Sequence, residues 1–350
     1  MDLPALDLPL GVVPSPDASA EPEAYVVVLG SERIHFLDWG GPAAGRAVEP
    51  ARDGTPESAG RPAGGRTTPG VLLIHGLAGT AWDWLSVARR LRRRTRVVAM
   101  DLRGHGLSDA PTSGYEPEQL AEDVIAVAEG SGLLADDAEA APPSAAPPPA
   151  APPDVSAGQL VLAGHGFGGI VAAWAAAVLG ERCAGLVLVD GGWEDLRQTT
   201  GMEPDDWLRE VAEPPEVMRS MAAFLADRAA FDPTTWDADQ ERAARATVVE
   251  VPAGHLLPAI RPHALARSVE AMFAYRPSLI LPAIEAPIVA LVAAADGDRS
   301  RLAALDAAAT ALREAGRPPI RVATFPGVGH NLVRHRPVEV SAAILALLGR

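Results

Sequence analysis

Short apolar runs alternate with helical patterns along most of this chain, and that alternation limits the folds it can adopt. Buried strands are predicted at residues 71–74, 96–100, 160–163, 186–189, 288–293 and 320–325. Helical spacing is found between or after them, at residues 81–91, 117–128, 167–179, 300–315 and 337–348. Repeated strand–helix units form a mostly parallel, twisted sheet with helices on both faces. We therefore predict an α/β fold.

The order of these patterns divides the chain into segments. A β-rich run with a Gly-Ser turn near the start predicts a hairpin, and a block of Pro-punctuated helical pieces interrupts the rhythm late in the chain. We predict that this block is a helical lid over the carboxyl edge of the sheet, where ligands of such folds bind. The predicted segments are a loosely held tail at residues 1–23, the first part of the core at 24–192 with low-complexity loops at about 47–69 and 135–158, the lid at 193–284, and the second part of the core at 285–350.

Composition excludes several classes of protein. A formal charge of −15 argues against a nucleic-acid-binding surface, which needs clustered cations. The single cysteine, Cys183, excludes an internal disulfide and a cysteine-based metal site, and we expect neither a metal nor a cofactor. No apolar stretch approaches 18 residues and the N-terminus lacks the features of a secretory signal, so we expect a cytoplasmic protein without a membrane partner. The sequence leaves the oligomeric state open.

Polar and glycine-rich clusters follow the predicted strands at the points where they end. Carboxyl ends of parallel strands meet at one edge of a sheet, so these clusters are expected to lie together. The clusters are residues 75–82, 101–109 and 164–169, Asp296, and residues 327–331.

Taken together, these clusters resemble the α/β-hydrolase superfamily over nearly the whole chain. The resemblance implies a nucleophile, an acid and a histidine in that chain order. It places Gly166 at the nucleophile position, Asp296 as the acid and His330 as the general base. Asp190 and Asp298 remain alternative acids, because some members of the superfamily carry the acid after the preceding strand.

The nucleophile position departs from the pattern of the family. The elbow reads Gly164-His165-Gly166-Phe167-Gly168, and its central residue has no side chain with which to form an acyl-enzyme. Glycine tolerates the positive φ of such an elbow, which costs other residues roughly 1–3 kcal/mol. Epoxide hydrolases and haloalkane dehalogenases use an aspartate here, so neither class is supported. A natural glycine and an introduced, inactivating one look alike in a sequence.

The resemblance also implies where a substrate would bind. The backbone N–H groups of Leu77 and Phe167 are expected to form an oxyanion hole. Residues expected to contact the substrate are His75, Gly76, His165 and Trp193.

Several functions are compatible with these residues. We predict a hydrolase for a small apolar ester, lactone or related carbonyl compound, in which His330 and Asp296 activate a water at the oxyanion hole. A catalytically silent relative that binds a small molecule under the lid is one alternative. A cofactor-free lyase that uses His330 is another. The partner in each case is a small molecule of unknown identity.

Overall fold

The computed structural model describes residues 4–42, 69–134, 158–211, 216–294 and 299–349. The strands of its main sheet are β1 (Glu23–Leu29), β2 (Glu32–Gly40), β3 (Gly70–Ile74), β4 (Val97–Met100), β5 (Leu160–His165), β6 (Cys183–Val189), β9 (Ile288–Ala294) and β10 (Arg321–Pro326), and a separate hairpin is made by β7 (Val248–Glu250) and β8 (Leu256–Pro258). Eight strands form the main sheet in the order β1-β2-β4-β3-β5-β6-β9-β10.

The pairing of the strands agrees with the sequence pattern. β1 and β2 form the predicted antiparallel hairpin, and β2 is also antiparallel to β4. Every other neighbouring pair in the main sheet is parallel. The prediction of a mostly parallel sheet is therefore confirmed.

Helices cover both faces of this sheet. They are α1 (Leu85–Leu91), α2 (Pro117–Gly130), α3 (Phe167–Leu179), α4 (Leu196–Thr200), α5 (Pro204–Glu210), α6 (Met221–Phe231), α7 (Ala238–Ala246), α8 (Pro262–Ala274), α9 (Pro277–Ile280), α10 (Arg299–Glu314), α11 (Leu332–His335) and α12 (Pro337–Leu348). Side chains alternate across a strand, so Leu72 and Ile74 pack with α2 and α3, whereas Val71 and Leu73 pack with α1 and α12. Burial on both faces explains why the central strands are continuous apolar runs.

The segment between β6 and β9 breaks the strand–helix rhythm, as the sequence predicts. It contains α4 to α9, and also the β7–β8 hairpin, which the sequence reading missed. The two strands are three residues each, too short for a reliable alternating pattern. The function of this segment as a lid remains a prediction.

The N-terminal residues differ from the expected loose tail. The N–H of Leu6 donates to the carbonyl oxygen of Val322 in β10 at 2.7 Å, which extends the edge of the sheet. Further along, the buried guanidinium of Arg89 in α1 donates to the carbonyl oxygen of Ala20 at 3.1 Å and to Glu21 at 2.9 Å. Backbone pairing and an ion pair thus fix parts of a segment whose composition predicted a loosely held tail.

The predicted low-complexity loops lie almost wholly outside the described residues, at 43–68 and 135–157. Within the described ranges, none of the helices has the length and apolar character needed to span a bilayer.

Candidate active site

Gly166 occupies a sharp turn between β5 and α3. Its backbone angles are φ +52° and ψ −115°, a conformation that L side chains rarely adopt. The turn is closed by its N–H, which donates to the carbonyl oxygen of Val189 at 2.9 Å, and by its carbonyl oxygen, which accepts from the N–H of Gly169 at 3.0 Å. The structure therefore retains the geometry of a nucleophile elbow although the side chain is missing.

Neighbouring glycines allow this turn to pack closely against other backbone. A Cβ atom on Gly164 would lie 2.1 Å from the carbonyl oxygen of Gly168, and one on Gly168 would lie 2.3 Å from that of Ile74. A Cβ on Gly191, after β6, would lie 2.7 Å from the Cα of Gly166. Side chains at these positions would separate the strand ends, so the glycines bring them together at the elbow.

His330 lies beside the elbow, as the sequence predicts. Its Nε2 is 3.1 Å from the position that a Cβ on Gly166 would occupy. Its Nδ1 is 2.5 Å from Oδ2 of Asp190. A carboxylate accepts hydrogen bonds, so the Nδ1–H donates to it, and in the neutral ring Nε2 carries the lone pair. The side chain of His330 is 61% exposed.

Asp190, not the favoured Asp296, is the acid that the structure places on His330. Asp296 and the alternative Asp298 lie outside the described residues. Asp190 directly follows β6 at φ +50°, is fully buried, and accepts the N–H of Ala293 at 2.8 Å. The sequence signal for it existed, because Asp190 also ends an apolar strand, but spacing alone could not choose between two adjacent strand ends.

The predicted oxyanion donors flank the elbow. Phe167 is the first residue of α3, and Leu77 follows β3 just before Ala78, which has a positive φ of 59°. Neither the Leu77 N–H nor the Phe167 N–H donates to an acceptor within the described part of the chain. The two turns touch, since a Cβ on Gly76 would lie 2.9 Å from Nδ1 of His165.

His75 takes a supporting position rather than the predicted substrate contact. Its imidazole is completely buried, and its Nδ1–H donates to the carbonyl oxygen of Gly76 at 2.7 Å. Its Nε2 accepts the N–H of Leu102 at 3.0 Å. Burial lowers the pKa of His75, so the ring stays neutral and both nitrogens are used within the protein. Its contacts hold the turn that carries Leu77.

His165 is a second imidazole at the site. Its ring centre lies 4.7 Å from that of His330, and its Nε2–H donates to the His330 carbonyl oxygen at 3.1 Å. Burial, together with the nearby His330, lowers the pKa of His165 to about 3. The ring is therefore neutral at physiological pH and anchors the loop that carries His330.

Trp193 differs from the predicted substrate contact. Its ring is fully buried in the core on the α3 side of the sheet, and the guanidinium of Arg301 lies 5.5 Å from the ring centre. The same guanidinium reaches both Asp190 and Glu194. The sequence reading missed Arg301 and Glu194, because no motif marks either residue and their contact joins distant parts of the chain.

Comparison with known proteins agrees with this geometry. The model of the alpha/beta hydrolase family matches residues 71–343. The chain belongs to the α/β-hydrolase family. The turn at Gly166 lies within the matched residues.

Individual relatives within the α/β-hydrolase family match this chain over different lengths. The 2-(acetamidomethylene)succinate hydrolase of Mesorhizobium japonicum is 25% identical over 277 residues, which cover 79% of this chain and 86% of that protein. Epoxide hydrolase 4 of Mus musculus is 28% identical over 130 residues, 37% of this chain and 30% of that protein.

Solved structures show the same α/β-hydrolase fold. The crystal structure of E-2-(acetamidomethylene)succinate hydrolase superposes with a TM-score of 0.66 at 17% identity, over 94% of this chain and all of that chain. A thioesterase domain from the curacin biosynthetic pathway superposes with a TM-score of 0.61 at 19% identity, over 93% of this chain and 99% of that one.

Proposed function

We propose that this protein hydrolyses a small, largely apolar ester, lactone or related carbonyl compound without forming an acyl-enzyme. The observation that carries the proposal is the pair of His330 and Asp190, with the free Nε2 directed at the vacant nucleophile position of Gly166. A base held by a buried carboxylate at a family elbow is suited to activating a nucleophile that occupies the serine position.

In the proposed reaction, that nucleophile is water. Nε2 of His330 takes a proton from the water, and the oxygen of that water bonds to the carbonyl carbon of the substrate. The N–H groups of Leu77 and Phe167 stabilise the resulting oxyanion. Collapse of the tetrahedral intermediate breaks the bond to the leaving group, which receives the proton from His330. Asp190 stabilises the imidazolium between these two steps.

Kinship supports the proposed hydrolytic reaction, and the position of the segment between β6 and β9 supports the proposed lid. The relative from Mesorhizobium japonicum is named as a hydrolase, and this chain matches 86% of its length. The helices and hairpin between β6 and β9 are proposed to form the lid that excludes water and selects the substrate. A site that lacks its nucleophile can still retain about 10³–10⁴-fold catalysis over water, so turnover is expected to be slow.

The experiment compares the protein with its His330→Gln variant on a panel of activated short- and medium-chain esters and lactones. We expect slow hydrolysis by the protein and loss of that activity in the variant. Undiminished activity in His330→Gln would remove His330 from the mechanism. Tight retention of an intact compound without turnover would instead identify a silent binding protein, and elimination products would identify a lyase.

A further inference from the structure

Arg301 connects the candidate active site to a second buried carboxylate. It extends from α10, and its Nε donates to Oε1 of Glu194 at 2.5 Å. Its Nη1 lies 3.1 Å from Oδ1 of Asp190 and 3.2 Å from Oδ2. The side chains of Arg301 and Glu194 are 20% and 9% exposed, and that of Asp190 is 0% exposed. Water therefore screens these charges weakly.

Arg301 and His330 donate to the same oxygen. Oδ2 of Asp190 accepts from Nδ1 of His330 at 2.5 Å and from Nη1 of Arg301 at 3.2 Å. The other oxygen, Oδ1, accepts the N–H of Ala293 at 2.8 Å. Each additional donor stabilises the carboxylate and reduces the share of its charge available to the imidazole.

We propose that Arg301, fixed by Glu194, is a positioning residue that holds Asp190 beneath His330 and restrains how strongly this carboxylate favours a protonated imidazole. The proposal rests on the proposed function in assigning His330 as the base. A base whose proton affinity is too high is charged at neutral pH and cannot accept a proton from water. A donor that shares Oδ2 of Asp190 with His330 is suited to limiting that affinity.

Among the described residues, the charged groups of this cluster are the carboxylates of Glu194 and Asp190 and the guanidinium of Arg301. The ring of His165, tilted by 35° against that of His330, is neutral. Burial raises the pKa of Glu194, and Arg301 opposes that shift. Burial by itself would lower the pKa of Arg301, but the hydrogen bonds and charges of Glu194 and Asp190 together raise it. The segment 295–298, which precedes α10, lies outside the described residues.

The test measures the protonation of His330 directly, in the full chain. Imidazole resonances of isotopically labelled protein are followed by NMR as a function of pH, and the His330 signal is assigned by its loss in His330→Gln. We expect Arg301→Gln to raise the His330 pKa by about one unit, because a nearby cation is removed. Glu194→Gln should lower it, because an anion is removed and Arg301 can bind Asp190 more fully.

Two controls separate this effect from general disturbance. Arg301→Lys keeps the charge and should stay close to the wild-type value. Arg182→Gln removes a half-exposed arginine at the opposite end of β6 and should leave His330 unchanged. Opposite shifts in Arg301→Gln and Glu194→Gln support the proposal, since a merely structural role would not reverse sign. An unchanged His330 pKa in both variants overturns it.

Folding and activity are read separately. Circular dichroism and thermal unfolding establish whether each variant is folded. If Arg301→Gln does not fold, the shift of the His330 pKa in Glu194→Gln decides whether the proposal holds. Because the NMR titration needs no turnover, absence of hydrolysis would refute the proposed function while leaving this result intact. Conversely, hydrolysis that depends on His330, without the expected shifts, would refute the role of Arg301 alone.

Discussion

Nε2 of His330 lies 3.1 Å from the position that a Cβ on Gly166 would occupy, although 163 residues stand between the two in the chain. The backbone of Gly166 keeps the positive φ of a nucleophile turn, and His330 keeps its hydrogen bond to a buried carboxylate. A side chain placed at residue 166 would therefore lie beside the imidazole of His330, so the proposed site can be tested by introducing one.

Gly166→Ser is expected to create ester hydrolysis at least roughly 100-fold faster than that of the unchanged protein. Loss of the nucleophile has cost about 10⁶-fold in a serine protease, and incomplete restoration is expected because the new Cβ lies close to His330. Initial rates on activated esters provide the measurement. Restored activity would also produce labelling by fluorophosphonate probes, which require a nucleophile.

Gly166→Ala is the matched control for that experiment. Alanine adds the same Cβ at the same positive φ, with the same strain of roughly 1–3 kcal/mol, but no hydroxyl. It should therefore lose stability as the serine variant does and gain no esterase activity. Equal gains in both variants would show that the added carbon, and not a nucleophile, changes the rate.

Asp190→Asn is expected to lower the restored activity of Gly166→Ser by roughly 100-fold or more. Asparagine can hold the imidazole in the wrong tautomer, and the corresponding change in a serine protease costs about 10⁴-fold. Asp296→Asn on the same background should have a small effect. A larger loss of activity in Asp296→Asn than in Asp190→Asn would show that Asp296, which the sequence favoured, is the acid.

Gly168→Ala is expected to destabilise the protein by about 3 kcal/mol or more. Its Cβ would lie 2.3 Å from the carbonyl oxygen of Ile74, and neither backbone can move without separating β3 from α3. Urea unfolding gives the free energy. Gly11→Ala, where nothing lies within 4 Å of the added Cβ, should change it by less than about 0.5 kcal/mol. Similar losses in both variants would contradict the close-approach explanation.

His105→Gln is expected to reduce the sensitivity of the fold to acid. Burial, and secondarily the neighbouring His75, lowers the pKa of His105 to about 3. The unfolded chain therefore binds a proton that the folded chain does not, and stability falls as pH drops below about 6.5. Between pH 7.5 and 5.0 this proton uptake lowers the free energy of unfolding by about 2 kcal/mol. The variant lacks the imidazole and should not show this loss.

The measurement for His105 is the free energy of unfolding in urea at the two pH values. The prediction concerns the difference between the free energies of unfolding at the two pH values. The absolute stability is not compared, because loss of a buried ring also lowers it. A pH dependence identical to that of the wild type would show that His105 is protonated in the folded protein or neutral in both states.

Much of the fold follows from local pattern. The central strands are apolar runs because both faces are buried, and each helix that follows a strand shows a helical period, so β3 to β6 and α1 to α3 were predictable. The short β7–β8 hairpin and the docked N-terminus were not. Their stability comes from contacts with distant residues, such as the pairing of Leu6 with Val322.

The candidate site likewise contains features that the sequence predicts and features that depend on tertiary contacts. The strand-to-helix turn at Gly166 and the position of His330 after β10 were predictable from the amino-acid sequence, because they depend on residue type and local order. The contacts of Asp190 with His330 and with Arg301 became visible only in the folded chain. Candidate carboxylates follow two neighbouring strands, and the choice between them depends on side-chain distances that packing alone determines.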